Sequence, residues 1–125
     1  MIFNPNLAVG VDIEEISRFE EFGKDNPFLD KIYTEKEKEY CFSKKKPAQH
    51  LAVRFAGKEA VIKALNSLEY SFSNFKKIEI SNSKNGVPKV KINQQGFEEM
   101  KIAISLSHCK DKAIAFAVIN GQAIR

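Results

Sequence analysis

The sequence predicts an α+β domain in which one long helix packs on an antiparallel β-sheet. Three observations carry this. The stretch after Pro47 pairs apolar residues at i,i+4; two pairs of segments in the second half are strand-like and flank turn sequences; and a short Val- and Ile-rich segment lies near the amino end. A chain of 125 residues fits one domain, taken here as 1–125, with no internal repeat and no linker long enough to divide it.

The elements follow in order. Leu7–Ile13 (LAVGVDI) reads as a strand. EEISRFEEF then spaces Ile16, Phe19 and Phe22 as a helix would, and Asp25, Asn26 and Pro27 end it. A short helical segment is expected over Phe28–Tyr33. Thr34-Glu35-Lys36-Glu37 has the capping-box pattern, in which the hydroxyl and the carboxylate satisfy each other's backbone amides, and should open another short helix. Pro47 suits the first turn of the long helix, which runs to about Leu68. Its apolar side is built from Leu51, Ala52, Phe55, Ala56, Val61, Ala64, Leu65 and Leu68.

In the second half, Phe75–Ser81 and Val87–Asn93 form a hairpin around SKNG. Gln94–Lys101 is read as a short helix. Ile102–Ser107 and Ala113–Ile119 form a second hairpin around HCKDK. The last strand, AIAFAVI, is apolar at every position, which predicts that both its faces are covered, one of them by another subunit.

Composition narrows the function classes. The net charge is +4 with a pI near 9.0, but acids and bases are interleaved. Only Arg18, Arg54 and Arg125 are arginines among twenty basic residues, which argues against a nucleic-acid binder and fits an acidic partner or a polyphosphate ligand. Cys41 and Cys109 show no disulfide framework. The amino end lacks a basic n-region, and no apolar run approaches a membrane span. The expectation is a soluble cytoplasmic protein with no membrane association.

Three stretches could carry chemistry. Asp12 and Glu14 lie where the first strand meets the first helix; each fits either a helix start or a site. On the long helix, Glu59 and Lys63 lie on one line, and Arg54 and Lys58 on the next. Glu59–Lys63 fits an ordinary surface pair. Arg54–Lys58 fits less well, since like charges at i,i+4 repel and a bound anion would reverse the sign. SLSHCKDK offers Ser105, Ser107, His108, Lys110 and Lys112 either as a solvated turn or as donors to a phosphate. A zinc site from His108, Cys109, His50 and Cys41 is rejected, because adjacent strand residues point to opposite faces and the spacing matches no zinc pattern.

Taken in order, VGVDIEEISR, RFAGKEAVIKAL and SLSHCKDKAIAFAV resemble the short, one-domain type of 4′-phosphopantetheinyl transferase, the holo-acyl-carrier-protein synthase family. Weaker matches are IYTEKEKEYC and NGVPKVKI, so the resemblance runs from about Leu7 to Ile119. It implies transfer of the phosphopantetheine arm of coenzyme A to a serine of apo-acyl carrier protein, with release of adenosine 3′,5′-bisphosphate. It implies Mg²⁺ on Asp12 and Glu59, with Glu14 ranking below them as a third ligand. Hard carboxylate oxygens beside a pyrophosphate suit that ion. Glu59 is the expected proton acceptor, and Lys63 takes up leaving-group charge.

By the same resemblance, Lys45, Lys46, Arg54, Lys58, Lys63 and His108 face coenzyme A, and Arg18 faces the acidic carrier. The family's homotrimer, with sites between subunits, would cover the last strand. The family's Gly-rich loop after the KA motif is absent, since NSLEYS has no glycine, so no coenzyme A contact is assigned there. Glu20 and Glu21 also make the first helix less basic than is usual. The alternative reading is a non-catalytic module that binds coenzyme A or an acidic partner.

Overall fold

The computed structural model of the chain describes residues 6–121, and the outer ends of the expected 1–125 domain lie outside them. Strand β1 is Leu7–Glu15, followed by a 3-10 turn at Ile16–Phe19. Helices α1 (Leu29–Ile32), α2 (Glu35–Phe42) and α3 (Pro47–Ser67) come next. A second 3-10 turn, Phe75–Lys77, leads into β2 (Ile78–Asn82), β3 (Pro88–Ile92), β4 (Lys101–His108) and β5 (Lys112–Asn120). β1, β5 and β4 form an antiparallel sheet in that order, and β2–β3 form a separate antiparallel hairpin. The predicted class is correct: the long helix lies on an antiparallel sheet.

Alternation decides which face of the sheet meets the helix. Ala8, Gly10 and Glu14 of β1 and Ala113, Ala115, Ala117 and Ile119 of β5 point inward. Of these, Ala8, Ala115, Ala117 and Ile119 meet Ala56, Ala60, Val61, Ala64 and Leu65 of α3 in one apolar cluster. Small residues on both sides let the helix axis come close. At Gly10 an added Cβ would sit 1.9 Å from the Ala60 carbonyl oxygen, so only glycine allows β1 this near to α3. That close approach brings the next inward residue of β1, Asp12, beside the fourth and fifth turns of the helix. A second cluster holds the amino-terminal end of α3: Phe19, Leu29, Ile32, Tyr33, Cys41 and Leu51. There the Tyr33 hydroxyl donates to the Leu51 carbonyl at 2.7 Å.

Three expectations change. The helix expected over EEISRFEEF is a single 3-10 turn, because β1 pairs with β5 as far as Glu14↔Ala113 and Glu15↔Lys112, and the Ile16 amide donates to Asp111 O at 3.0 Å. Ile16 and Phe19 are still buried, as their spacing predicted. The helix expected at Gln94–Lys101 is a pair of turns: Gly96 takes φ +98°, outside helical space, and Lys101 opens β4. The strand expected from Phe75 begins at Ile78, after the 3-10 turn. Within the chain, α3 covers one face of AIAFAVI. The other face carries Leu7, Val9, Val11 and Ile13 of β1 beside Ile114 and Phe116 of β5, each between 41% and 59% exposed. Val11 pairs with Phe116 and Ile13 with Ile114, so these side chains form one apolar surface.

The glycine-free loop has a structural counterpart. α3 ends in a Schellman-type turn, with Glu69 N bonded to Asn66 O and Tyr70 N to Leu65 O, both at 3.0 Å. The turn needs a left-handed residue, and Glu69 supplies it at φ 69°. Left-handed backbone is unfavourable for a residue with a Cβ. Glu69→Gly should therefore stabilise the fold by about 0.5–1 kcal/mol, after subtraction of glycine's greater freedom in the unfolded chain. Urea unfolding would show this as a higher midpoint with unchanged slope; an unchanged or lower midpoint would contradict it.

No helix among the described residues is long and apolar enough to cross a membrane.

Candidate active site

The site residues fall into two groups on opposite sides of α3. The first is acidic. Asp12, on the inner face of β1, has only 12% of its side chain exposed. Its Oδ1 lies 3.3 Å from Lys63 Nζ, while its Oδ2 is buried and meets no N–H donor. Lys63 Nζ also donates to the Val11 carbonyl at 2.9 Å. Glu59, one turn before Lys63, is half-buried. Glu14, two residues along β1 from Asp12, is buried and pairs with Arg18 Nη1 at 2.5 Å. The Arg18 side chain is 62% exposed, so it remains open to a partner.

These carboxylates repel one another. Burial, then a side-chain hydrogen bond to Asp12 and the Asp12 charge, push the Glu14 carboxyl up to about 7, with Arg18 opposing. Burial and Asp12 also raise Glu59, with Lys63 and Arg18 opposing. Asp12, with an oxygen that meets no N–H donor, beside two acids that resist ionisation makes a cluster that a cation would relieve. Among the described residues no three His, Cys, Asp or Glu side chains are gathered tightly enough to enclose a metal ion by themselves. The donor set suits an ion that takes one or two carboxylates and completes its shell from water and phosphate, as Mg²⁺ does.

The raised Glu14 pKa has a measurable consequence. Between its ordinary value of 4.5 and about 7, the folded state holds this proton more tightly than the unfolded state. Folding stability therefore falls as pH rises through that window. In chelator-treated buffer, Glu14→Gln should lose less melting temperature than the native chain between pH 5 and pH 8. Equal losses in both would refute the assignment.

The second group is cationic. Arg54, buried on α3, has its guanidinium 4.0 Å from the centre of the Tyr40 ring. Its Nη2 donates to Asn82 Oδ1 at 2.5 Å, and its Nε is buried without a partner. Arg54, Tyr40, His50, Asn82, Ser107 and His108 line one small cleft. Burial, with the positive charges of Arg54, Lys44 and His108, lowers the His50 pKa. His108 also borders a larger, mainly apolar hollow of about 770 Å³ between the first 3-10 turn and the start of α3. Lys46 lines that hollow, and Lys45 beside it is exposed in the loop before the helix.

One expected site residue is misplaced. Lys58 does not face a ligand. It is fully buried, and its ammonium donates to Glu37 Oε1 at 2.8 Å, to Phe75 O at 3.0 Å and to Ile78 O. All three of its donors are engaged inside the protein. Tyr40 and Asn82 were missed as walls of the cleft. Their signal is weak, since an aromatic on a short helix and an Asn at a hairpin end are ordinary residues until Arg54 meets both.

Within one chain the two groups remain apart. Asp12 is on β1 and His108 on β4, the two edges of the sheet, with β5 between them. That separation is about 10 Å at ordinary strand spacing. Arg54 and Lys63 are nine residues apart on α3, about 13 Å along the axis.

Comparison with known proteins assigns the chain to a family. The family model described as the 4′-phosphopantetheinyl transferase superfamily matches residues 8–117. A holo-[acyl-carrier-protein] synthase of Thermodesulfovibrio yellowstonii is 48% identical over 116 residues, covering 90% of this chain and 96% of that protein. The enzyme of the same name from Protochlamydia amoebophila is 43% identical over 119 residues, with coverage of 90% and 96%. Among solved structures, a holo-(acyl-carrier-protein) synthase from Bacillus anthracis in complex with CoA (3′,5′-ADP) matches with a TM-score of 0.74. It shows 31% identity, with coverage of 90% of this chain and 94% of that one. The Chronobacterium ammoniagenes ACPS–CoA complex matches with a TM-score of 0.77 and 25% identity, over 91% and 96% of the two chains.

Proposed function

Since the chain belongs to the 4′-phosphopantetheinyl transferase superfamily, we propose that it transfers the 4′-phosphopantetheine arm of coenzyme A to a serine of an apo-acyl carrier protein, with Mg²⁺ and as a cytoplasmic homotrimer. Family membership makes it a transferase. The observation that carries the finer reading is the Asp12–Glu59–Lys63 arrangement: a surplus of carboxylate charge with a cation at its edge.

The chemistry follows from these residues. The serine oxygen attacks the phosphorus that bears the pantetheine arm. A new P–O bond forms there, and the bond from that phosphorus to the bridging oxygen breaks. Adenosine 3′,5′-bisphosphate leaves with the electron pair. Asp12 and Glu59, with Glu14 behind them, would hold a divalent cation, which when bound supplies charge neutralisation to the pyrophosphate. Glu59, beside the cation it would help to hold, accepts the serine proton. Lys63, held by Val11 O beside Asp12, faces the charge that develops on the departing phosphate.

Arg54 and His108 suit the remaining coenzyme A phosphate, with Lys45 and Lys46 nearby. Arg54 Nε is a buried donor without a partner, and an anion would supply one. The two groups belong to one site if they come from neighbouring copies. The uncovered apolar face of β1 and β5 favours such an assembly, because a surface of that kind is seldom left to water. The whole chain, 1–125, then acts as one domain of the trimer. Arg18, exposed at the first 3-10 turn, would meet the acidic carrier.

The test is direct. Apo-carrier incubated with the chain, coenzyme A and Mg²⁺ should gain about 340 Da, the mass of the arm, on a single serine. No gain on any of a panel of apo-carriers would reduce the chain to a binding module.

A further inference from the structure

We propose that Glu37 is the positioning residue for Arg54, a single buried carboxylate that locks together the three elements from which the Arg54 side of the cleft is built. The juxtaposition is specific. Arg54 comes from α3, its ring support Tyr40 from α2, and its hydrogen-bond acceptor Asn82 from the end of β2. Nothing in the covalent chain fixes these three relative to one another, since α2 and β2 are separated by the whole of α3 and the loop after it.

Glu37 reaches all three. It lies on α2, one turn before Tyr40, and it is only 1% exposed. Its Oε1 accepts from Lys58 Nζ of α3 at 2.8 Å and from the Thr34 amide that caps its own helix at 2.9 Å. Its Oε2 accepts from the Ile80 amide of β2 at 2.8 Å. Lys58 completes the joint. It lies one turn after Arg54 on α3, and it also binds the Phe75 and Ile78 carbonyls where the chain enters β2. The Thr34 hydroxyl accepts from the Glu37 amide at 3.2 Å, so the capping box fixes the carboxylate's own backbone.

Two of these links converge on Arg54. From Ile80 the strand runs two residues to Asn82, whose Oδ1 holds the guanidinium and whose amide nitrogen donates to Gly86 O at 3.0 Å. From Glu37 the helix runs three residues to Tyr40, over which the same guanidinium lies. A buried pair of this kind is weak evidence for stability, because desolvation offsets much of the attraction. Its directional bonds do fix geometry, and here they set both supports of one functional arginine.

The inference rests on the reading of Arg54 as a coenzyme A contact, and the experiment separates the two. The double variant Glu37→Gln/Lys58→Met removes both buried charges with side chains of similar size. Glu37→Asp, which keeps a carboxylate near Lys58 but shortens its reach, is the second variant should the first fail to fold. Two quantities are measured on the folded variant: the Arg54 Nε–H resonance by ¹⁵N NMR, and KM and kcat for coenzyme A.

Positioning predicts that the Arg54 signal loses its protected, shifted position. It also predicts that KM rises about tenfold while kcat stays within about twofold. An Arg54 signal that stays in place in a folded variant overturns the inference, whatever happens to KM. A displaced Arg54 signal with unchanged KM supports positioning and instead removes Arg54 from the coenzyme A site.

Discussion

Asp12→Ala and Glu59→Ala should each lower transfer to apo-carrier by at least about 10³-fold, equivalent to roughly 4 kcal/mol of transition-state stabilisation. The size of the effect follows from what each carboxylate does. Asp12 pairs with Lys63 through one oxygen and keeps the other buried and free of any N–H donor, so that second oxygen is available to a cation. Glu59 is asked to act twice, as a ligand and as the proton acceptor, and alanine can do neither. Both variants should remain folded. Removing either acid relieves repulsion in the Asp12–Glu14–Glu59 group, so melting temperatures in metal-free buffer should be unchanged or raised. Mass spectrometry of the carrier reads the transfer. Full transfer by either variant in chelator-treated buffer would sink the mechanism.

A second large effect is expected from Phe116→Asp. Phe116 lies at the middle of the exposed apolar face, directly opposite Val11 in the strand register. If copies of the chain cover that face, a carboxylate there would be buried without a partner. The desolvation cost of several kcal/mol would dissociate the assembly. Light scattering should then change from a trimer to a monomer mass, and transfer should fall with it, because the proposed site takes its acidic group from one copy and its cationic group from the next. A mixing experiment sharpens the point. Glu59→Ala and His108→Ala chains, each inactive alone, should regain part of the activity when mixed, since some sites would combine an intact acidic group from one chain with an intact cationic group from the other. A fully active monomeric Phe116→Asp chain would refute the shared site.

Much of this was legible in the residues. The capping box at Thr34–Glu37 is present as read, because its two hydrogen bonds are local and depend on spacing alone. The long helix was marked by its apolar periodicity and by Pro47 at its first turn. Asp12 and Glu59 were identifiable only through the resemblance; spacing by itself left each of them two ordinary explanations. The structure adds the physical reason for pairing them, since Gly10 lets β1 approach α3 closely enough for Asp12 to reach Lys63.

What the sequence could not reveal depends on partners distant along the chain. EEISRFEEF carries helical spacing, yet β5 captures its first two residues as strand, because a cross-strand hydrogen-bond ladder outweighs a weak local preference. Lys58 and Arg54 look alike as neighbours on one helix line. One is drawn into the interior by Glu37, twenty-one residues away, and the other is held at a cleft by Asn82, twenty-eight residues away.

By itself, then, the sequence determined the class of fold, the identity of the long helix and the set of residues from which a site could be made. The tertiary structure alone decided which cations reach the cleft, that Glu14 belongs to a strand beside Asp12, and which face of the sheet α3 covers. The reason is range. Periodicity and capping act over a few residues and are written in order along the chain, whereas burial and ion pairing join groups whose proximity exists only after folding.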